Sequence, residues 1–153
     1  MSMKQRSTGT TMTMDLEKMA QSYLAAWNAH DVEKILSYFT DDCIYEDFGN
    51  GKTAHGKAEL KDYCNMLFLD YPDFKLEKKS WFSAGDNTAY EYTASGTHKH
   101  SSNPAIPVTG KRFSIPGVSI IEFRNGKIYS KRTYFNQAAS LQQLGLMPAM
   151  SAK

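Results

Sequence analysis

The hydrophobic period of this chain changes once, and that change limits the folds open to it. Up to about Phe68 the apolar residues recur at i, i+3 and i+4; beyond Pro72 they alternate. In the helical half, Leu16, Met19, Ala20, Tyr23, Leu24 and Trp27 form one face of a helix over residues 14–30. Asp31 is positioned to cap a short second helix with Val32, Ile35, Leu36 and Phe39 on its inner side. A third stripe, Leu60, Tyr63, Cys64, Leu67 and Phe68, stops at Asp70-Tyr71-Pro72. The exception in this half is a short strand over 43–47, which leads into a glycine-containing loop, 48–56.

The second half predicts strands over 74–82, 88–98, 111–123 and 127–136, a short helix over 138–144, and a stop at Gly145 and Pro148. Helices first and successive strands after make an α+β domain, with an antiparallel sheet covered on one face by helices and a cavity between the layers. Residues 14–148 form this single domain. Residues 1–13, rich in Ser, Thr and Gly without periodicity, are expected to be a disordered tail.

Composition narrows the function classes. A chain of 153 residues with 41% hydrophobic and 22% charged residues buries a core, so disorder throughout is excluded. No apolar run reaches the roughly 18 residues of a membrane helix and no secretory leader is evident, so a cytoplasmic protein without a membrane partner is expected. The net charge of +2 comes from Lys4, Arg6 and Lys153 in the tails. The remaining body has no clustered basic excess, which argues against a nucleic-acid partner. Cys43 and Cys64 fall in apolar stretches without metal or disulfide spacing and read as buried free thiols.

Asn125-Gly126 is a strong two-residue hairpin signal and sets an expected register for the last two strands, with residue 119 facing 132. That register puts Phe113, Ile115, Ser119, Ile121 and Phe123 on one face with Ile128, Ser130, Arg132, Tyr134 and Asn136. Charge gathers on the other face, in Glu122, Arg124, Lys127 and Lys131, so the first face is expected to be inward. Arg132, Tyr134, Asn136 and Ser119 then become candidate binding groups. A bulge in the hairpin would reverse this assignment. Tyr90, Tyr92, Ala94, Gly96 and His98 share a face of the preceding strand, which makes Tyr92 and His98 further candidates. Trp27 and Tyr23 have apolar bodies with polar tips, and Tyr23 is the better pocket candidate of the two. His98 and His100 have metal-ligand spacing but no evident third ligand, because His30 and His55 fall in loops. No metal site is expected. No phosphate loop or nucleophile elbow is present, and no cofactor is expected.

Five stretches carry a family resemblance: Ala26-Trp27-Asn28-Ala29-His30-Asp31, the run from Phe39 through Thr40-Asp41-Asp42-Cys43-Ile44-Tyr45-Glu46 to Asp47, Gly96-Thr97-His98, Gly126-Lys127-Ile128, and Gln143-Leu144-Gly145-Leu146. Through them the chain resembles the SnoaL-like polyketide cyclases and ketosteroid isomerases of the nuclear transport factor 2-like superfamily. The resemblance implies a cone-shaped sheet, mixed or antiparallel, curved over three N-terminal helices and enclosing a pocket. It also implies that Asp47 is the general base and Tyr23 the oxyanion donor, with Ser119 at the place of a later protonated acid. Asn136 stands where the cyclases have a proton-shuttling acid. Two functions follow as expectations. The first is a cyclase or isomerase, independent of cofactors, that abstracts a proton from a small apolar carbonyl compound of polyketide, steroid or terpenoid type and stabilises the enolate. The second is a non-catalytic member of the same superfamily, either binding a small ligand or structural. A homodimer is expected through the outer sheet face, where the expected register puts Val118, Ile120, Tyr129 and Phe135 among the charges.

Overall fold

The long alternating segments pair in sequence, and the computed structural model, which describes residues 17–148, shows how the helical half is laid over them. Helix α1 covers 17–28 of the described residues. It is followed by α2 (Val32–Ser37), β1 (Phe39–Asp47), β2 (Lys52–His55), α3 (Gly56–Asp70), β3 (Lys75–Ala84), β4 (Asn87–Thr97), β5 (Arg112–Arg124), β6 (Lys127–Phe135) and α4 (Gln137–Gln143). The tail expected over 1–13 and the expected start of the first helix at Met14 lie outside the described residues. Among the described residues no helix is long and apolar enough to cross a membrane.

The six strands form one sheet in the order β2-β1-β6-β5-β4-β3. The meander from β3 to β6 is antiparallel, as the alternation predicts. The short strand expected over 43–47 is a nine-residue strand that joins β6 in parallel, so the sheet is mixed. Part of the expected 48–56 loop is β2, paired antiparallel with β1. Four residues with only Ala54 buried left no readable alternation there.

The run around Trp27 has a purely structural explanation for most of its members. Asn28 uses its side-chain amide as a stand-in strand, donating to the carbonyl of Leu76 at 3.0 Å and accepting from the Leu76 N–H at 2.8 Å. It thereby satisfies backbone groups on the sheet edge formed by β3. His30, at φ 56°, turns the chain out of α1, and its Nε2 meets the Phe74 carbonyl at 2.8 Å. Asp31 caps α2 by accepting from the Lys34 N–H at 3.1 Å.

The turn at Asn125-Gly126 has both residues at positive φ, as a two-residue hairpin requires. The expected register nevertheless fails two residues later. Phe123 pairs with Ile128, but Glu122 pairs with Ser130, which leaves Tyr129 as an extra residue in β6. Tyr129 packs its ring 3.6 Å from the Arg124 guanidinium carbon, and the Ile128 N–H donates to the Tyr38 carbonyl instead of across the hairpin. Beyond this bulge Ser119 faces Thr133, and Gly117 faces Phe135. Lys131, Thr133 and Phe135 therefore point inward, while Arg132 and Tyr134 point outward. The expected outer apolar set is corrected accordingly: Phe135 belongs to the inner face and Tyr134 to the outer.

Replacing Asn28 with alanine is expected to lower the unfolding free energy by about 1–2 kcal/mol, through loss of two hydrogen bonds to an edge strand. Urea unfolding monitored by circular dichroism measures this, and an unchanged midpoint would remove Asn28 from the connection between α1 and β3.

Candidate functional site

Between the inner sheet face and helices α1, α3 and α4 lies a cavity of about 380 Å³. Its walls are mostly aromatic and aliphatic, with Trp27, Tyr45, Tyr63, Phe74, Tyr90 and Tyr92 among them. A buried carboxylate, Asp47, and a buried amine, Lys131, are set into that wall, which also includes His98, Lys52 and Asp70. Asp47 and Lys131 come from neighbouring strands, because Tyr45 pairs with Lys131 and Asp47 with Thr133.

Asp47 ends β1 and is 1% exposed. One carboxylate oxygen accepts from the Tyr63 hydroxyl at 2.6 Å and from the Asn50 side-chain amide at 2.8 Å, and the other accepts from the Asn50 N–H at 2.9 Å. Three donors from two elements fix its direction. Burial, reinforced by the neighbouring Tyr45 and Asp47, raises the Tyr63 hydroxyl well above its usual range, so it remains a neutral donor. Tyr63 was legible in sequence as part of the α3 stripe, but its role was not. Asn50 lay in a segment expected to be loop.

Lys131 is 2% exposed. Its ammonium donates to the Tyr23 hydroxyl at 2.9 Å, and its Nζ lies 4.7 Å from the ring centre of Trp27, 5.0 Å from those of Tyr23 and Tyr45, and 5.8 Å from that of Tyr90. The aromatic faces favour a cation, as does the nearby Asp47, but burial acts against it more strongly. The amine is pulled down to about 7. Lys131, expected on the outer face, is turned inward by the bulge at Tyr129.

Tyr23 is buried, but it does not line the cavity; it sits one layer behind, against Lys131. Burial and the neighbouring Tyr90 and Tyr45 raise its hydroxyl well above the usual value. The expected convergence of Asp47 and Tyr23 on one cavity is therefore indirect, with Lys131 standing between the tyrosine and the space. Trp27, Tyr92, His98 and Ser119 do line the cavity. Ser119 shares a 2.9 Å hydrogen bond with Thr133. The Tyr92 ring crosses Gly117 so closely that a Cβ there would lie 2.7 Å from it. Burial pushes the Tyr92 hydroxyl up to about 12, so it too is a neutral donor. His98 is packed against Thr109, whose N–H donates to Nδ1 at 3.3 Å, while His100 turns outward to Asp70 at 2.8 Å. The Trp27 indole N–H and the Tyr90 hydroxyl are buried with no partner in the protein.

Three expected binding residues are elsewhere. Arg132 donates to Glu122 at 2.9 Å on the outer face, and Tyr134 is exposed with its ring stacked on Phe48. Asn136 is exposed and caps α4, accepting from the Ala139 N–H at 3.0 Å. All three corrections follow from the bulge, which exchanges the two faces of β6, and from the end of the strand at Phe135.

An open mixed sheet closed by helices over an apolar cavity is the cone fold of ketosteroid isomerase-like proteins, and comparison with solved structures gives the same result. AclR of Streptomyces galilaeus, provisionally assigned as a hydroxylase, is 23% identical, with TM-score 0.77 over 91% of this chain and 90% of its own. A Jannaschia sp. CCS1 protein provisionally assigned as a SnoaL-like polyketide cyclase is 16% identical, with TM-score 0.76 over 89% and 94%. A Catenulispora acidiphila protein with the ketosteroid isomerase-like fold is 20% identical, with TM-score 0.72 over 83% and 92%. Residues 17–144 match the family model of SnoaL-like polyketide cyclases, and the chain belongs to that family.

The buried amine should reveal itself in stability. With its folded pKa near 7, below the unfolded value of 10.5, the unfolded state binds more protons between those values. The Lys131 contribution to stability therefore rises with pH across that window. Lys131→Met is expected to be more stable than wild type by about 1–3 kcal/mol at pH 6, with the advantage shrinking towards pH 10. Paired denaturant titrations of both proteins check this, and a pH-independent difference would place the amine in solvent.

Proposed function

We propose that the protein catalyses proton transfer on a small, largely apolar carbonyl compound of polyketide type, leading to ring closure or a double-bond shift. The observation that carries this reading is the placement of a carboxylate and an amine in one apolar cavity, each oriented by hydrogen bonds from a helix. Asp47 accepts the proton from the carbon next to the carbonyl, and the three donors on its two oxygens keep it aimed at that carbon. The developing oxyanion lies against Lys131, in the role first assigned to Tyr23, while Tyr23 steadies the amine from behind. Trp27, Tyr45 and Tyr92 bury the body of the substrate. Family membership supports a cyclase or isomerase role. The substrate itself is the finer part of the proposal and rests on the size and lining of the cavity.

The test is solvent deuterium incorporation next to the carbonyl, measured by mass spectrometry over a panel of aromatic polyketide, steroid and terpenoid ketones. Wild type is expected to exchange at least one of them, and Asp47→Asn to slow that exchange by about 10²–10⁴-fold with an unchanged circular dichroism spectrum. Equal exchange by the two proteins would remove Asp47 from the chemistry. Tight binding of a ketone without exchange by wild type would favour the ligand-binding reading.

A further inference from the structure

We propose that Lys131 is a covalent catalyst, its Nζ condensing with the carbonyl carbon of the substrate to form a Schiff base. This inference rests on the reading that a carbonyl compound occupies the cavity, and it changes what the amine does there. The geometry supports a nucleophile over a fixed cation. Lys131 lines the cavity, and its Nζ donates one hydrogen bond, to the hydroxyl of Tyr23, a residue that does not line it. No carboxylate among the described residues lies within ion-pair distance of it, whereas Arg132, the next residue, has Glu122 at 2.9 Å. A buried ammonium kept for its charge alone would need such a counter-ion. The titratable groups around it are Tyr23 on α1, Tyr45 and Asp47 on β1, Cys64 on α3 and Tyr90 on β4. Burial pushes Cys64 up to about 12 and raises Tyr23, Tyr45 and Tyr90, so the thiol and these phenols supply no negative charge at neutral pH. A large part of the amine is then neutral and has a free lone pair.

The step balances without an added reagent. The lone pair of Nζ adds to the carbonyl carbon, and the oxygen takes up a proton to give a carbinolamine. Loss of that hydroxyl as water leaves a C=N bond, protonated on nitrogen. The Tyr23 hydroxyl, 2.9 Å from Nζ, is placed to pass the protons that leave and return to nitrogen. Asp47 then takes the proton from the adjacent carbon, and the bonding pair moves toward the iminium nitrogen to give an enamine. Hydrolysis by one water returns the amine and the rearranged carbonyl compound. An iminium is a stronger electron sink than a hydrogen-bonded carbonyl, which suits a site with few other donors to an oxyanion.

The experiment uses the full chain and 2,4-pentanedione, a small diketone that condenses with neutral amines to an enaminone detected by near-ultraviolet absorbance and by the mass gained less one water. At pH 7 one adduct per chain is expected, mapped to Lys131 by peptide mass spectrometry. It should form on the order of a hundredfold faster than on any other lysine, since ordinary lysines are almost wholly protonated there. The rate should level off above pH 7, and both Lys131→Met and Lys131→Arg should lose the adduct. Labelling spread over surface lysines with Lys131 untouched would overturn the inference, as would a Lys131 rate that climbs without levelling to pH 10. If the variants do not fold, the peptide map and pH profile of wild type decide alone. Deuterium exchange with Lys131 unlabelled defeats only the covalent step. An adduct at Lys131 without any exchange supports the nucleophile and defeats the proton-transfer reading.

Discussion

One extra residue in β6 decides which of its side chains line the cavity. The bulge at Tyr129 exchanges the two faces of the strand beyond it, so Lys131, Thr133 and Phe135 line the cavity, and Arg132 and Tyr134 face outward. The bulge is held from both sides: Arg124 packs against the Tyr129 ring, and the Ile128 N–H is taken by the Tyr38 carbonyl. The β1–β6 pairing then carries the consequence across the sheet, because the parallel register sets Tyr45 beside Lys131 and Asp47 beside Thr133. The row continues through Ser119 and Tyr90, giving a polar line across an apolar floor.

Helices orient the two ionisable groups on this floor. Tyr63 of α3 reaches down to Asp47, and Tyr23 of α1 reaches down to Lys131. Each strand residue is thus positioned by a tyrosine that burial keeps protonated. Loop chemistry completes the carboxylate's environment, since Asn50 in the β1–β2 turn supplies both a backbone and a side-chain donor. The site accordingly rests on the packing of α1 and α3, and Trp27 links them through edge contacts with Phe68 and Tyr23 while lining the cavity itself.

Much of the architecture was legible because periodicity is a local property. The helical stripes, the Asp31 cap, the antiparallel meander and the glycine turn were all written in neighbouring residues. Asp47 was found through family resemblance, and the Tyr90 and Tyr92 face through alternation. What escaped depended on pairing between distant residues. The strand of β6 reads almost equally well on either face, with Ile128 and Tyr134 on one set and Tyr129 and Phe135 on the other, so only the position of the bulge chose between them. The parallel docking of β1 beside β6 left no mark in either strand alone. Asn136, expected inward, became a helix cap because β6 ends one residue before it, and an asparagine at that boundary serves the backbone of α4.

The arrangement of the cavity is hard to explain as a device for stability. A buried amine drawn down to about 7 weakens the folded state relative to an aliphatic side chain in the same place. The Trp27 N–H and the Tyr90 hydroxyl, both enclosed without protein partners, add to that cost. Yet the surrounding core is well made: Ile35, Phe39 and Leu60 are fully buried, and polar groups away from the cavity such as Asn28 and Asp31 find partners. Thr40 Oγ1 is a third buried atom without a partner and lies away from the cavity, but Trp27, Tyr90 and the unpaired amine of Lys131 all belong to the cavity wall, so most of this polar cost falls on one surface. The same wall carries the Asp47 carboxylate, so the cost is concentrated around the two groups on which the proposed proton transfer depends.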